Sequence, residues 1–366
     1  MLRKKKRSCL IVGGDHLQWN THRDDIPRIR QLVREVSKEI IEGANGKLEI
    51  ISQYSRMVPV IMVQKYFGLD GVDRKKMLEW SYWSQYDSFY NQHFDLNAEE
   101  KYECIEIEHK RCHKEFSEYI KSLIIRKLIE VKIKDRGRKV WVTLSNALRV
   151  KMGMEPRQLK DDIVKRMLGT SFVKQIGFPM QRLGANVGGL LVGSVETSSK
   201  VVAHVVDFFI KHPELLKKAK AAAVKEETAE IDSMVWEALR FEPVSPYLFR
   251  QLSKDYTFGR GSEREVTLPK GTTILTLIQS AMFDSRVYEN PDEFNPERDW
   301  SHHLTYGLGE HECLGKQIGM AMIPEMVRQL IFRENLQAVS SLDYKDGPFP
   351  EEYHLLWNDS RINGCV

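Results

Sequence analysis

The residues with the clearest chemical potential lie in Tyr306-Gly307-Leu308-Gly309-Glu310-His311-Glu312-Cys313-Leu314-Gly315. Glycines at 307, 309 and 315 let this loop bend sharply and let its backbone be approached closely. The apolar-periodic run from Leu314 to Phe332 predicts a helix starting just after the cysteine. A thiol at such a helix start is favoured as the thiolate. Three glycines, one histidine and one cysteine at these spacings have a chance probability on the order of 10⁻⁷ per start position at average residue usage. Two plainer readings stand beside a thiolate site. One is a buried structural cysteine after a Gly-rich turn. The other is a zinc site of His302, His303, His311 and Cys313, although no second cysteine pair or His-x₃-His spacing completes a tetrahedral set.

A second chemically loaded stretch is Gly193-Ser194-Val195-Glu196-Thr197-Ser198, inside the longest apolar-periodic run, Leu183 to Ile210. It places an acid beside an alcohol in what the period predicts to be the middle of a buried helix. A buried carboxylate needs a partner or water, and a mid-helix hydroxyl often back-bonds to the preceding turn and bends the helix. On the residues alone, packing and function are equally open. Glu237 and Arg240, three apart on the helix predicted over Ile231 to Phe241, share a face and carry little meaning by themselves.

Taken in order, these stretches are similar to the cytochrome P-450 family. The 306–315 loop resembles its cysteine loop, with Tyr306 where the family usually has Phe. The resemblance implies that Cys313 is the proximal thiolate on haem b iron, that His311 meets a haem propionate, and that Gly307 and its neighbours let backbone N–H groups point at the sulfur. The 193–198 stretch resembles the central helix. There Gly193 would let the backbone pass over the haem, and Glu196 and Thr197 would manage protons at bound oxygen; Ser194 replaces the family's second glycine. Glu237-x-x-Arg240 falls at the family's distance before the cysteine and would join Arg298 of Pro296-Glu297-Arg298 in a structural network. Arg250 matches a position that commonly reaches a propionate, and is otherwise a surface arginine. Trp19 and Arg23, in Trp19-Asn20-Thr21-His22-Arg23, resemble the family's Trp-x-x-x-Arg helix, whose side chains grip propionates.

These groups need a scaffold, and helical periods supply most of it. Ile29, Leu32, Val33, Val36, Ile40 and Ile41 follow a helical period that Gly43 and Gly46 close. A helical stretch rich in aromatics begins at Asp73-Arg74 and includes Trp80, Tyr82, Trp83, Tyr86, Phe89, Tyr90 and Phe94; part of this set is expected to be core and part to wall a pocket. Cys104 to Lys134 predicts a long basic amphipathic helix, with Ile120, Leu123, Ile124, Leu128 and Ile129 on one side and Lys121, Arg126, Lys127, Lys132 and Lys134 on a solvated face. Asp135 to Pro156 reads as a loop or insertion, and Leu159 to Leu168 as helix. Tyr247 to Leu277 reads as short strands and turns, and Pro324 is expected to kink the helix after the cysteine.

With 366 residues and 42% hydrophobic content the chain can bury a sizeable core. Lys+Arg minus Asp+Glu is 55 − 51 = +4, which does not suggest a nucleic-acid protein. The five cysteines (Cys9, Cys104, Cys112, Cys313 and Cys365) are odd in number and scattered, fitting a reducing compartment better than a disulfide framework. The apolar run after the basic start, Cys9 to Val12, is too short for a signal peptide or a membrane span.

The expected fold is mainly α with small β-sheets, a cytochrome P-450 fold without the N-terminal strands and first helices. Residues 1–25 form a short basic segment and 26–366 one haem-thiolate domain. The resemblance implies a haem-thiolate monooxygenase of secondary-metabolite or lipid metabolism, cytoplasmic or peripheral to a membrane and without an encoded anchor. It would act on a lipophilic small molecule with O₂ and a separate electron donor, a reductase or ferredoxin. Two alternatives stay open: a hydroperoxide isomerase or peroxide-driven enzyme on the same fold, and a truncated, catalytically silent relative.

Overall fold

The computed structural model describes residues 25–90, 99–131, 137, 149, 151–152, 161–169 and 180–358. Trp19, Arg23 and most of the 135–156 segment lie outside the described residues. The described helices are α1 (Ile26–Gly43), α2 (Met57–Met62), α3 (Arg74–Tyr90), α4 (Glu99–Ile129), α5 (Ile163–Gly169), α6 (Met180–Val192), α7 (Glu196–Lys211), α8 (Pro213–Ala223), α9 (Ala229–Phe241), α10 (Ile278–Ala281) and α11 (Lys316–Ile331). The strands are β1 (Lys47–Glu49), β2 (Leu248–Gln251), β3 (Tyr256–Phe258), β4 (Val266–Leu268), β5 (Thr273–Thr276), β6 (Gln337–Ala338) and β7 (His354–Leu356). The fold is therefore predominantly helical with small sheets. The chain forms two compact units, Met1–Ala203 with Leu314–Val366, and His204–Cys313.

In the first unit, α1 carries Pro27 in its first turn, where its fixed φ suits a helix start. It ends where Asn45 (φ 51°) and Gly46 (φ 82°) turn the chain into β1, which pairs antiparallel with β7 in the order β1-β7-β6. Ile29, Val33, Val36 and Ile41 form the buried stripe that the period predicts, and α1 packs along α11. Each such aliphatic side chain contributes about 1.5–3 kcal/mol by leaving water. The seam also carries polar ties. Tyr54 donates to Met326 O at 2.8 Å, and Arg34 Nε donates to the fully buried Glu325 at 2.9 Å. α11 runs on through Pro324, which is itself buried; the helix is not interrupted there.

Between β1 and α3 the backbone widens into π-helical turns, Ile51–Ser55 and Val63–Phe67, on either side of α2. Trp80 of α3 packs on Phe116 and Tyr119 of α4, with ring centroids 5.1 and 5.3 Å apart. Part of the aromatic run is thus core. On α4, Ile120, Leu123 and Ile124 are buried as expected, but Ile129 is 47% exposed and Lys127 only 1% exposed, which reverses the expected placement of both residues. The reason is electrostatic. Lys127 Nζ donates to Asp162 at 2.8 Å and to Asp70 at 3.0 Å, and two carboxylates offset the desolvation of one ammonium. Close approach is possible because residue 68 is glycine: a Cβ there would meet the Asp162 carboxyl at 2.4 Å.

The long apolar run is two helices, α6 and α7, separated at 193–195. The competing hydroxyls explain the break. Ser194 Oγ donates to Leu190 O at 2.6 Å and Thr197 Oγ1 to Gly193 O at 2.7 Å, which diverts the local backbone from an uninterrupted ladder.

The second unit is built on α8 and α9, which pack together, and on two hairpins, β2 with β5 and β3 with β4. Phe208, Phe241 and Phe294 form its aromatic core, Phe208 lying 5.5 and 5.7 Å from the other two ring centroids.

Candidate functional site

The cysteine loop lies in the second unit. α9 presents Trp236, whose indole meets Tyr306 edge-on at 5.6 Å and Trp300 at 5.9 Å. From Tyr306 the chain turns through Gly307 (φ 72°) and Gly309 (φ 65°). Both angles lie in the left-handed region that a side chain resists, and a Cβ on Gly307 would also stand 3.2 Å from His311 O. Backbone bonds close the loop: Gly307 N donates to Leu304 O at 2.9 Å, Glu312 N to Gly309 O at 3.0 Å, and Cys313 N to Tyr306 O at 2.7 Å. The result is a thiol on Cys313 that is exposed and outside any disulfide. His311 ends a 3₁₀ turn and is exposed. Tyr306 differs from the phenylalanine of the resemblance by one hydroxyl, and that hydroxyl is buried with no partner among the described residues. Burial first, and the neighbouring Cys313 second, push its phenol well above the ordinary value.

α9 also carries the network behind the loop. Arg240 is fully buried. Its Nη2 donates to Glu237 Oε1 at 2.8 Å and to Glu293 O at 3.1 Å, its Nε donates to both Glu237 oxygens, and its Nη1 donates to Met282 O at 3.1 Å. Arg298 Nε reaches the same Glu237 oxygen at 3.1 Å, and Asn295 N donates to it at 3.0 Å. The guanidinium of Arg240 is flanked by the rings of Phe241 and Phe283, 4.5 and 4.6 Å from their centroids. Glu237, Arg240 and Arg298 are thereby brought together one residue away from the indole that supports Tyr306. Arg250, on β2, is exposed, and its Nη1 donates to Phe249 O at 2.7 Å.

The three histidines near the loop do not gather with Cys313. Among the described residues, the group of metal-capable side chains whose ligand atoms fall within 4.8 Å of one another is Glu79, Glu108 and Cys112. Arg111 already pairs with Glu79 and Glu108.

The acid and alcohol lie in the first unit. Glu196 is 1% exposed; its Oε2 accepts from Arg56 Nε at 2.8 Å, while Oε1 is buried with no partner among the described residues. Burial raises its pKa above the ordinary carboxyl value, against the opposing pull of Arg56. Thr197 is half-buried beside it. Arg56 also donates to Glu351 Oε2 at 2.9 Å and to Pro350 O at 3.3 Å. Arg56 and Glu351 were not anticipated from sequence. The available signal was Arg56 itself, a lone charge in the apolar run from Ile50 to Val63.

A sequence-family model described as Cytochrome P450 matches residues 29–337. The cytochrome P450 CYP107DY1 of Priestia megaterium is 21% identical over 344 residues, covering 92% of this chain and 68% of that protein. Pulcherriminic acid synthase of Bacillus subtilis is 22% identical over 360 residues, covering 93% and 75%. Matches to plant cytochromes P450 of Arabidopsis thaliana span 46% of their length. Among solved structures, P450BioI in complex with an acyl carrier protein ligated by hexadec-9Z-enoic acid superposes with a TM-score of 0.70 at 19% identity, over 94% of this chain and 78% of that one.

Proposed function

Because the chain belongs to the cytochrome P450 family, and with it to the P450-type monooxygenases, we propose that it holds haem b through Cys313 and oxidises a lipophilic small molecule with O₂. The observation that carries this reading is the presentation of the Cys313 sulfur: an exposed thiol at the end of a loop that two left-handed glycines shape. The donor set fits the group. One sulfur suits a thiolate ligand, and Leu308, five residues before Cys313, is 58% exposed, apolar surface of the kind a flat hydrophobic ring system covers. A thiolate-ligated haem supplies one-electron and dioxygen chemistry, its ligand favouring O–O cleavage.

The chain's own residues divide the remaining work. Tyr306 and Gly307 fix the loop that holds the sulfur, with Glu237, Arg240 and Arg298 as its support. His311 and Arg250 are exposed cations or donors suited to propionates, and Trp19 and Arg23 are assigned the same role by family pattern. Gly193 sits at the break between α6 and α7, where Glu196 and Thr197 hold and pass protons. The substrate class follows the names of relatives: a fatty acyl chain is bound in the P450BioI structure, and one relative is a pulcherriminic acid synthase, so an apolar intermediate of secondary or lipid metabolism suits this site. Electrons come from a separate reductase or ferredoxin. Among the described residues no helix is long and apolar enough to cross a membrane, and we place the activity in the cytoplasm or at a membrane surface.

The test is haem content and donor-dependent O₂ uptake. Protein expressed with haem precursor should carry one haem b per chain by the pyridine haemochrome, and should consume O₂ only with a surrogate ferredoxin pair and NADPH. Protein that folds without haem would overturn the proposal.

A further inference from the structure

A buried carboxyl and a half-buried one compete for one guanidinium in the first unit, and they are not equally served. Glu351 is 15% exposed at its side chain. Its Oε2 accepts from Arg56 at 2.9 Å, and its Oε1 accepts from the Tyr86 hydroxyl. That contact is possible because residue 347 is glycine, where a Cβ would lie 2.5 Å from the phenol oxygen. Glu196 is 1% exposed, shares the same Arg56, and has an oxygen, Oε1, with no donor among the described residues.

Every element around the cluster contributes to its charge balance. Arg56 precedes α2, and its guanidinium lies 5.5 Å from the Tyr82 ring. α3 brings Tyr82 and Tyr86, stacked at 4.1 Å. The C-terminal segment brings Glu351. On α7 itself the next cation is Lys200, one turn on, whose Nζ donates to Pro348 O at 3.1 Å and lies near the rings of Tyr344 and Phe349. Ser55 and Ser199 bond to each other at 2.6 Å. Both oxygens of an ionised Glu351 are therefore satisfied, whereas an ionised Glu196 leaves a buried anionic oxygen bare. An uncharged hydroxyl in that position costs far less than an anion.

We infer that Glu196 rests as a neutral carboxylic acid with its proton on Oε1, and that Glu351, fixed by Tyr86, keeps it so by holding Arg56. Arg56, Glu351 and Tyr86 are then positioning residues for a proton donor. When Glu196 gives its proton to a basic oxygen, the carboxylate left behind draws on Arg56 for its countercharge, and a proton from solvent restores the acid. The direction of the Glu196 shift agrees with this arrangement. What consumes the proton rests on the function proposed above; the resting state of Glu196 does not.

The experiment is infrared difference spectroscopy on the purified full chain, between wild type and Glu196→Gln, in H₂O and D₂O at neutral pH. A protonated-carboxyl C=O band that downshifts in D₂O and is missing from Glu196→Gln is expected. In Glu351→Gln, where Arg56 serves Glu196 alone, the band should titrate away at least one pH unit lower. In Tyr86→Phe, Glu351 loses a donor and the two carboxyls should share the proton more evenly, so that the Glu196 band weakens. Arg56→Lys, which keeps the charge, should retain it. Near-ultraviolet circular dichroism identifies any variant that has lost its packing; if Glu351→Gln is one of these, Tyr86→Phe decides. No Glu196-dependent carboxyl band at neutral pH, or a band indifferent to both Glu351→Gln and Tyr86→Phe, overturns the inference. The bands are read on the protein with or without haem, so failure of the proposed function leaves this test intact.

Discussion

Replacing Arg240 with Leu removes a fully buried guanidinium from the centre of the second unit. Three consequences can be weighed from the structure. Glu237, 3% exposed at its side chain, loses one of its two cationic partners, and breaking a buried pair in this way costs about 3–5 kcal/mol. The carbonyls of Met282 and Glu293 lose a donor at 3.1 Å each, at about 1–3 kcal/mol for each that water cannot reach; Glu293 O keeps a bond from Arg298 at 2.9 Å, so only the Met282 carbonyl pays in full. Arg298 and Asn295 N still serve Glu237 Oε1, which offsets part of the first loss. The net expectation is a loss of about 3–5 kcal/mol, a large share of the 5–15 kcal/mol typical of native proteins. Urea unfolding followed by tryptophan fluorescence reads it directly, since Trp236 and Trp300 meet within the same unit. Arg240→Lys should recover only part of the loss, because an ammonium cannot reproduce the fork. Glu237→Leu combined with Arg240→Leu should cost less than the sum of the single changes, because the buried unpaired charge is gone. A loss below about 1 kcal/mol for Arg240→Leu would refute the argument that this network holds the wall behind the loop.

Other perturbations follow the same logic. Gly307→Ala forces a side chain into a left-handed backbone 3.2 Å from His311 O, costing about 1–2 kcal/mol; the expected readout is a changed rate of Cys313 alkylation with native packing elsewhere. Lys127→Met strands the fully buried Asp162 carboxylate, while Asp70 keeps its pair with Arg126, and should cost about 3–5 kcal/mol by urea denaturation. The same site predicts an acid limb. Hydrogen bonds and charge from Lys127 and Arg126 outweigh desolvation and hold the Asp70 carboxyl below its usual value, so its stabilisation is present above the ordinary aspartate range and is lost as pH falls below about 4. Lys127→Met should flatten that limb. Thr197→Ala should lower donor-coupled product formation roughly 10²-fold if Thr197 passes protons, whereas a peroxide-driven isomerase would be indifferent.

Much of the site was legible because it is local in sequence. The glycines that allow φ 72° and 65° lie within six residues of Cys313, and Glu237 and Arg240 share one helical face. The stripe of α1 followed its 3.6-residue period. What the sequence hid depends on distant partners. Lys127 looked solvated because nothing near it in the chain announces Asp70 and Asp162. The 183–210 run hid its break because apolar periodicity does not register hydroxyl groups competing for backbone carbonyls. Arg56 and Glu351 are 295 residues apart, and only folding shows that they share the guanidinium on which Glu196 depends.

The central claim, that Cys313 holds a haem as its thiolate ligand, is tested most directly by the absorbance difference spectrum of the dithionite-reduced protein with and without carbon monoxide. The account predicts the red-shifted Soret band of a thiolate-ligated haem in the wild type and its loss in Cys313→Ala. A band at the position of a neutral-ligand haem, or a red-shifted band that survives Cys313→Ala, would contradict it.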